Sequence, residues 1–294
     1  MQFQDTVFYV HNDSKIMIGN NVQFRETVFC THNDSQIMIG DDAQFADNRL
    51  YTAHFSDVFF GNAVYLKQNN IIVEAKARLE IGNECRISAL FMSEGINTKV
   101  VLEEKVSLSS YTGRKTIWTI RKNAEVTVGG SGRFSGQAGE CFVGENTLLR
   151  IGREFSINGN YRITLNASTS IIIGDDCMFS YDVNMRSNDG HSIFDVVIRK
   201  NINSCDDINK NRSIVIGNHV WVGERAFVLY YTQIDDGSII GAMSFVKNIK
   251  VPNNCIAAGI PAKVIKRNIT WNREEGAEDI EKCGQEYIRY TEEK

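Results

Sequence analysis

Residues 7–27 read VFYVHNDSKIMIGNNVQFRET, and the next 21 read VFCTHNDSQIMIGDDAQFADN. A chain that repeats itself at a fixed period is constrained to stack equivalent units along one axis. The period runs past these two copies. Steps of 21 from Ile18 land on Ile39, Phe60, Ile81 and Leu102, and steps from Gly19 land on Gly40, Gly61 and Gly82, then Glu103. From Val22 they land on Ala43, Val64, Cys85 and Val106, and from Phe24 on Phe45, Leu66, Ile87 and Leu108. These columns are apolar or small, whereas the column of Asn20, Asp41, Asn62, Asn83 and Glu104 is polar. One turn of a solenoid built from short strands has this length and this patterning.

The rhythm loosens but persists through Val128-Gly129 with Phe134, Ile151-Gly152 with Ile157, and Ile173-Gly174 with Phe179. It then tightens to a period of six: Ile216, Val222, Val228, Ile234, Ile240 and Val246. Four positions after each of the first five comes a small or β-branched residue: Val220, Ala226, Thr232, Ser238 and Ser244. Strand alternation turns the aliphatic residue inward, and the small one fits a tight corner. Three hexads make an 18-residue triangular coil. The expected fold is therefore all-β, a parallel β-helix solenoid with stacked strands about 4.8 Å apart; roughly a dozen coils would make a rod on the order of 55 Å long.

Composition narrows the function classes. Of 294 residues, 43 % are hydrophobic and 23 % charged, and the formal net charge is −4. That balance gives a nucleic-acid partner no support. No run approaches the roughly 18 apolar residues of a transmembrane helix, and MQFQDTVFYVHNDSK has neither the basic start nor the apolar run of a secretory leader. Seven scattered cysteines (30, 85, 141, 177, 205, 255, 283) without a CxxC pair suggest reduced thiols in a cytoplasmic setting and no cysteine zinc site.

One stretch breaks the repeat. Ile173-Gly174 and Ile216-Gly217 are 43 residues apart, about one coil too many, and RSNDGHSIFD (186–195) lies between them. A loop protruding from a rigid rod is a favoured place for function, and this one carries His191. The other histidines read as structural. His11 and His32 share one polar column, His54 sits in no motif, and His219 is expected to point outward from a hexad beside Trp221.

The segment IVIGNHVWVGERAFVLYYTQIDDGSIIGAMSFVKNIKVPNNCIAAGIPAKVIK (214–266) resembles the closing part of hexapeptide-repeat acyltransferases. Upstream, IIIGDDCMFSYDVNMRSNDGHSIFD (171–195) resembles the segment that carries the catalytic histidine of sugar O-acetyltransferases, capsular-polysaccharide and colanic-acid enzymes being the most similar in pattern. The resemblance covers about residues 150–272. It implies a left-handed β-helix, a homotrimer with active sites between subunits, and acetyl-CoA as acyl donor. It also implies His191 as general base toward a sugar hydroxyl. The second ring nitrogen would be held by Asp189, Asp195 or a backbone carbonyl, and backbone N–H groups or the Ser192 hydroxyl would face the oxyanion.

For the donor, the resemblance implies Trp221 lining the site and Gly241, Ala242 and Gly259 letting the pantetheine approach the backbone. Lys247, Lys263 and Lys266, with Arg267, would meet phosphates. For the acceptor, Asn160 falls where the family places an asparagine, but Ser168 stands where it places an aspartate. Asn184, Arg186 and Asp189 complete the acceptor candidates, with Arg186 suited to an anionic sugar. Cys177 and Cys205 would be needed for an acyl-enzyme route, yet Cys177 sits in the small-residue column and reads as a corner filler.

Three regions follow: an N-terminal solenoid extension (1–150), a hexapeptide-repeat acetyltransferase helix (151–267) and a cap or tail (268–294), in which Trp271 is expected to pack on a neighbour. The acceptor is expected to be a bacterial surface polysaccharide or its precursor, and the chain to be cytoplasmic or peripheral to the inner membrane. Two other classes compete. A hexapeptide-type metal enzyme needs two closely spaced histidines, which this chain lacks, so no metal is expected. A non-catalytic glycan-binding solenoid needs no donor segment.

Overall fold

The computed structural model describes residues 97–289 with their side chains, except at 109–115, 137, 167 and 204–211. Before residue 97, and at 109–110, it describes strands by their backbone, together with Gln23, Gly82 and Cys85. His11, His32, His54 and Cys205 lie outside the described residues.

The described strands form three long sheets, of 13, 11 and 11 strands, each taking every third strand of the chain in parallel apart from the two strands of a separate hairpin and the last strand of the first sheet. This is a three-faced parallel β-solenoid. The first sheet runs from Gln2–Gln4 to Ile256–Gly259 and is closed by the antiparallel strand Ala262–Lys266. The second runs from Val7–Val10 to Phe245–Val246, and the third from Lys15–Ile18 to Ile249–Val251.

The sequence columns are stacks in register. Ile18 pairs with Ile39, Phe60 with Ile81, and Ile81 with Leu102. Beyond these, Leu102 pairs with Val128, Val128 with Ile151 and Ile151 with Ile173, so coil length changes while the sheet continues past residue 150. Ile173 then pairs with Ile216; between them Met178–Phe179 and Val183–Arg186 keep their places in the other two sheets, and the surplus residues after Arg186 leave as the loop. From there Ile216 meets Ile234 at the 18-residue spacing of three hexads.

Strand alternation makes the core. Thr116–Ile120 buries alternate side chains, with Trp118 at 0 % exposure. The hexad aliphatics Ile216, Val222, Val228, Ile234, Ile240 and Val246 are all buried, as are the corner residues Val220, Ala226, Thr232, Ser238 and Ser244. Each such aliphatic contributes about 1.5–3 kcal/mol on burial. Midway along the rod the centre is aromatic. Phe134 packs against Trp118, Phe155 and Tyr161 at 5.5, 5.2 and 5.7 Å between ring centroids, and the Trp118 indole N–H donates to the Tyr161 hydroxyl at 3.0 Å.

One corner column has left-handed backbone throughout: Lys105, Ser131, Glu154, Asp176 and His219 all have φ between 51° and 62°. The amides of Ser131, Glu154, Asp176 and His219 donate to carbonyls of the preceding coil, so the turn also stitches coils together. His219 takes this corner, and its ring faces the tail and not solvent. Its side chain is buried, because the tail folds back over this corner. Trp271 stacks on the His219 ring at 4.2 Å and Tyr287 on it at 5.3 Å. Trp271 thus packs on its own chain, not on a neighbour, and its indole N–H donates to the His219 carbonyl at 2.8 Å. The tail contributes two short 3-10 turns, Ile280–Lys282 and Gln285–Tyr287. Among the described residues no helix is long and apolar enough to cross a membrane.

Candidate active site

The loop leaves the second sheet after Val183–Arg186 and returns to the third at Ile214–Ile216. It carries a small antiparallel hairpin, Phe194–Asp195 against Lys200–Asn201. His191 is exposed at the base of this hairpin. Among the described residues, none is hydrogen-bonded to its imidazole ring; what is fixed is its backbone. Asn203 Nδ2 donates to the His191 carbonyl at 2.7 Å and to Asp189 Oδ2 at 3.2 Å, while Asn203 Oδ1 accepts the Ile193 N–H at 2.6 Å.

Asp189 is the hub beneath. The Tyr230 hydroxyl, donating, lies 2.8 and 2.6 Å from its two oxygens, and Lys247 Nζ lies 3.5 Å away. Partial burial opposes the charged carboxylate, but the bonds from Tyr230 and Asn203 and the charge of Lys247 prevail and hold it below the usual carboxylate range. The same network raises Lys247: burial works against its charge, and Tyr230 and Asp189 outweigh it. Lys247 also sits 4.4 Å over the Tyr230 ring, and Arg212 4.9 Å from the same ring.

Asp195 is occupied elsewhere. Its Oδ1 accepts the N–H groups of Val197 and Ile198 at 2.8 and 3.0 Å, and bonds from Ile198 and Val197 hold its carboxyl low. It shapes the hairpin turn and does not orient the imidazole. Of the two aspartates weighed as ring orienters, neither bonds the ring.

The acceptor candidates share the second face. Asn160 and Asn184 line one open pocket of about 400 Å³ with Glu140, Tyr161, Arg162 and Asp182. Asn160 Nδ2 donates to Asp182 Oδ1 at 3.1 Å, and Arg162 is paired with Glu140 at 2.8 Å. Arg186 is two residues further along the Asn184 strand, with its guanidinium beside Gly190. Ser168 is exposed on a left-handed corner.

The donor candidates, Lys247 apart, lie on the first sheet. Trp221 is 37 % exposed, with its ring 6.2 Å from Trp271. Ala242, Lys263 and Lys266 are exposed beside it along the same sheet and its closing hairpin. Two glycines here have reasons of their own. A Cβ at Gly241 would meet the Ala258 Cβ of the next coil at 2.8 Å, and Gly259 has φ of +107°. Lys247, read from sequence with the donor group, belongs by contact to Asp189. The acceptor and donor candidates thus occupy different faces of one chain.

Cys177 is a buried corner residue. Its thiol donates to the Gly217 carbonyl at 3.1 Å, and burial pushes it up to about 12, which leaves it unsuited to nucleophilic attack. Among the described residues no three His, Cys, Asp or Glu side chains converge to hold a metal ion. Sequence reading passed over Asn203, Tyr230 and Arg212. The only local sign was the YYT triplet at 230–232, where two aromatics fill hexad positions that elsewhere hold Asn218-His219, Glu224-Arg225 or Asp236-Gly237.

No protein-family model matches the chain. Over 156 residues it is 33 % identical to a polysialic acid O-acetyltransferase of Escherichia coli O1:K1 / APEC, covering 52 % of this chain and 48 % of that one. Over 133 residues it is 27 % identical to a polysialic acid O-acetyltransferase of Neisseria meningitidis, covering 45 % and 59 %. The chain thus spans less than two thirds of either relative. Among solved structures, the polySia-specific acetyltransferase NeuO aligns over 92 % of this chain and 88 % of its own, at 24 % identity and a TM-score of 0.48. Over about half its length, then, the chain is similar in sequence to sugar O-acetyltransferases.

Proposed function

We propose, from this kinship to hexapeptide-repeat sugar O-acetyltransferases, that the chain transfers an acetyl group from acetyl-CoA to a saccharide hydroxyl, on a bacterial capsular or other surface polysaccharide. The observation that carries the reading is the loop between Arg186 and Ile214. A solenoid otherwise held in strict register expels one segment, and that segment presents an exposed histidine on a pinned backbone.

His191 acts as general base. Its free ring nitrogen takes the proton of the sugar hydroxyl, the oxygen attacks the thioester carbonyl, and the C–S bond breaks as the intermediate collapses. The imidazolium then returns the proton to the thiolate. Asn160, Asn184 and Arg186 line the acceptor side, and the guanidinium suits an acidic sugar. Asp189 serves the loop, not the sugar. On the donor side Trp221, Ala242, Lys263 and Lys266 offer an aromatic surface, an open corner and exposed cations, a set that fits a pantetheine carrying phosphates. The two groups lie on different faces of one chain. This favours sites formed between subunits of a homotrimer, the first face of one subunit meeting the second face of the next.

The test is transfer from radiolabelled acetyl-CoA to polysialic acid and a panel of other bacterial polysaccharides. His191→Ala is expected to lower transfer at least about 100-fold. Undiminished transfer by that variant would remove His191 as base. A wild-type chain that binds a glycan but neither binds coenzyme A nor transfers acetyl would be a binding solenoid instead.

A further inference from the structure

We propose that Asn203 and Tyr230, the latter acting through Asp189, are positioning residues for His191. The proposal rests on the reading of His191 as general base and concerns what aims it. Asn203 sits twelve residues after His191, across the hairpin, yet its one amide group reaches three alternate residues of the histidine segment. It donates to the carboxylate of Asp189 and to the carbonyl of His191, and it accepts from the amide of Ile193. Its own backbone N–H donates to Asn201 Oδ1 at 2.9 Å, which fixes the residue in turn.

Asp189 ties the same segment to the rod. Tyr230 follows the strand Phe227–Leu229, and Lys247 follows Phe245–Val246, the next strand of the second sheet. Both belong to the rigid coils, not to the loop. The chain of contacts therefore runs from solenoid to Tyr230 and Lys247, then to Asp189, to Asn203, and to the His191 backbone. The imidazole itself is left free of intramolecular bonds among the described residues. A base must offer a nitrogen to substrate in a fixed place, and small displacements are costly; holding the main chain while leaving the ring open meets both needs.

The test compares His191→Ala, Asn203→Ala, Asn203→Asp and Tyr230→Phe, with acetyl-CoA as donor and polysialic acid as acceptor. Asn203→Ala is expected to lower kcat about 10- to 100-fold with both KM values changed less than about twofold. Asn203→Asp keeps the acceptor for Ile193 but loses both donated bonds, and should fall in the same range. Tyr230→Phe should fall less, because Lys247 still holds Asp189. Added imidazole should restore part of the activity of His191→Ala and none of that of Asn203→Ala, whose ring is present but misdirected. Independently of any acceptor, the amide of Ile193, which donates to Asn203, should exchange with solvent at least about tenfold faster in Asn203→Ala. Unchanged exchange, or full kcat in both Asn203 variants while His191→Ala is inactive, would overturn the positioning role and leave the base intact. Full activity in His191→Ala would remove the base reading, whatever the Asn203 variants do.

Discussion

His219 shows how one side chain can carry an element. Its Nδ1 lies 2.6 Å from Asp176 Oδ2 and its Nε2 3.0 Å from the Trp271 carbonyl. Asp176 also accepts from Arg273 Nε at 2.8 Å, and that guanidinium reaches Ser156 Oγ and the carbonyls of Glu154 and Cys177. Burial raises the Asp176 carboxyl, but the bonds from His219 and Arg273 outweigh it and leave it lowered. A carboxyl lowered on folding binds fewer protons in the folded state. Its contribution is therefore complete above the unfolded value near 3.9 and is lost as pH falls through the folded value. Limited proteolysis of residues 268–289 should accordingly show a tail protected at neutral pH and released below about pH 4. Asp176→Asn should expose it at neutral pH, and His219→Ala should cost about 1–3 kcal/mol by denaturant unfolding. Equal protection in wild type and both variants at neutral pH would show that this cluster does not hold the tail. None of this was legible in the sequence. A histidine in a hexad reads as outward-facing, and the partners that bury it lie 52 and 43 residues away. His191 was legible for the opposite reason, since it interrupts a pattern that everything around it obeys.

At the scale of the element, the unit is the coil. Register pairs Val28 with Arg49 and Gln36 with Asp57, so residues 28–48 form one complete repeat. Deleting them rejoins equivalent positions and removes one layer from each sheet. The thermal midpoint should then move by only a few degrees, because a solenoid's stability is close to a sum over neighbouring layers. Deleting ten residues from within the same coil joins a strand to a corner, and should lower the midpoint far more. Equal losses, followed by circular dichroism, would contradict independent coils. The coils themselves were readable from residues such as Ile18, Ile39, Phe60 and Ile81, since equivalent inward positions of stacked coils must recur as an apolar column at constant spacing. The lengthening between Leu102 and Val128 was readable only as a loosened rhythm, because the column resumes at Val128-Gly129 without marking where the extra residues sit. The tail was opaque too; its contacts depend on single side chains meeting a distant corner.

At the scale of the whole molecule, the most exposed apolar side chains among the described residues gather on the loop. The turn of the loop hairpin carries Val196, Val197 and Ile198 at 89, 85 and 59 % exposure, with Phe194 at 62 % beside them. Three consecutive aliphatics at the tip of a turn are the reverse of what solvent selects. Tyr181 at 55 % and Met243 at 63 % are exposed on the coils, with the exposed Glu224 and Arg225 on the coil between them. An exposed apolar tip suits a heterologous contact, in which the tip of one subunit meets another subunit and the ring closes. This agrees with the separation of donor and acceptor candidates onto different faces. Analytical ultracentrifugation should give three times the mass of the chain. Val196→Asp with Val197→Asp places two carboxylates in that contact and should shift the species toward monomer at micromolar concentration. Because the variant leaves His191, Asn203 and Asp189 in place, acetyl transfer should fall in proportion to the lost trimer and recover at higher protein concentration. A wild-type chain that sediments as a monomer, or a monomeric variant with full activity, would mean that one subunit builds a complete site. The second face would then have to take the donor as well as the acceptor.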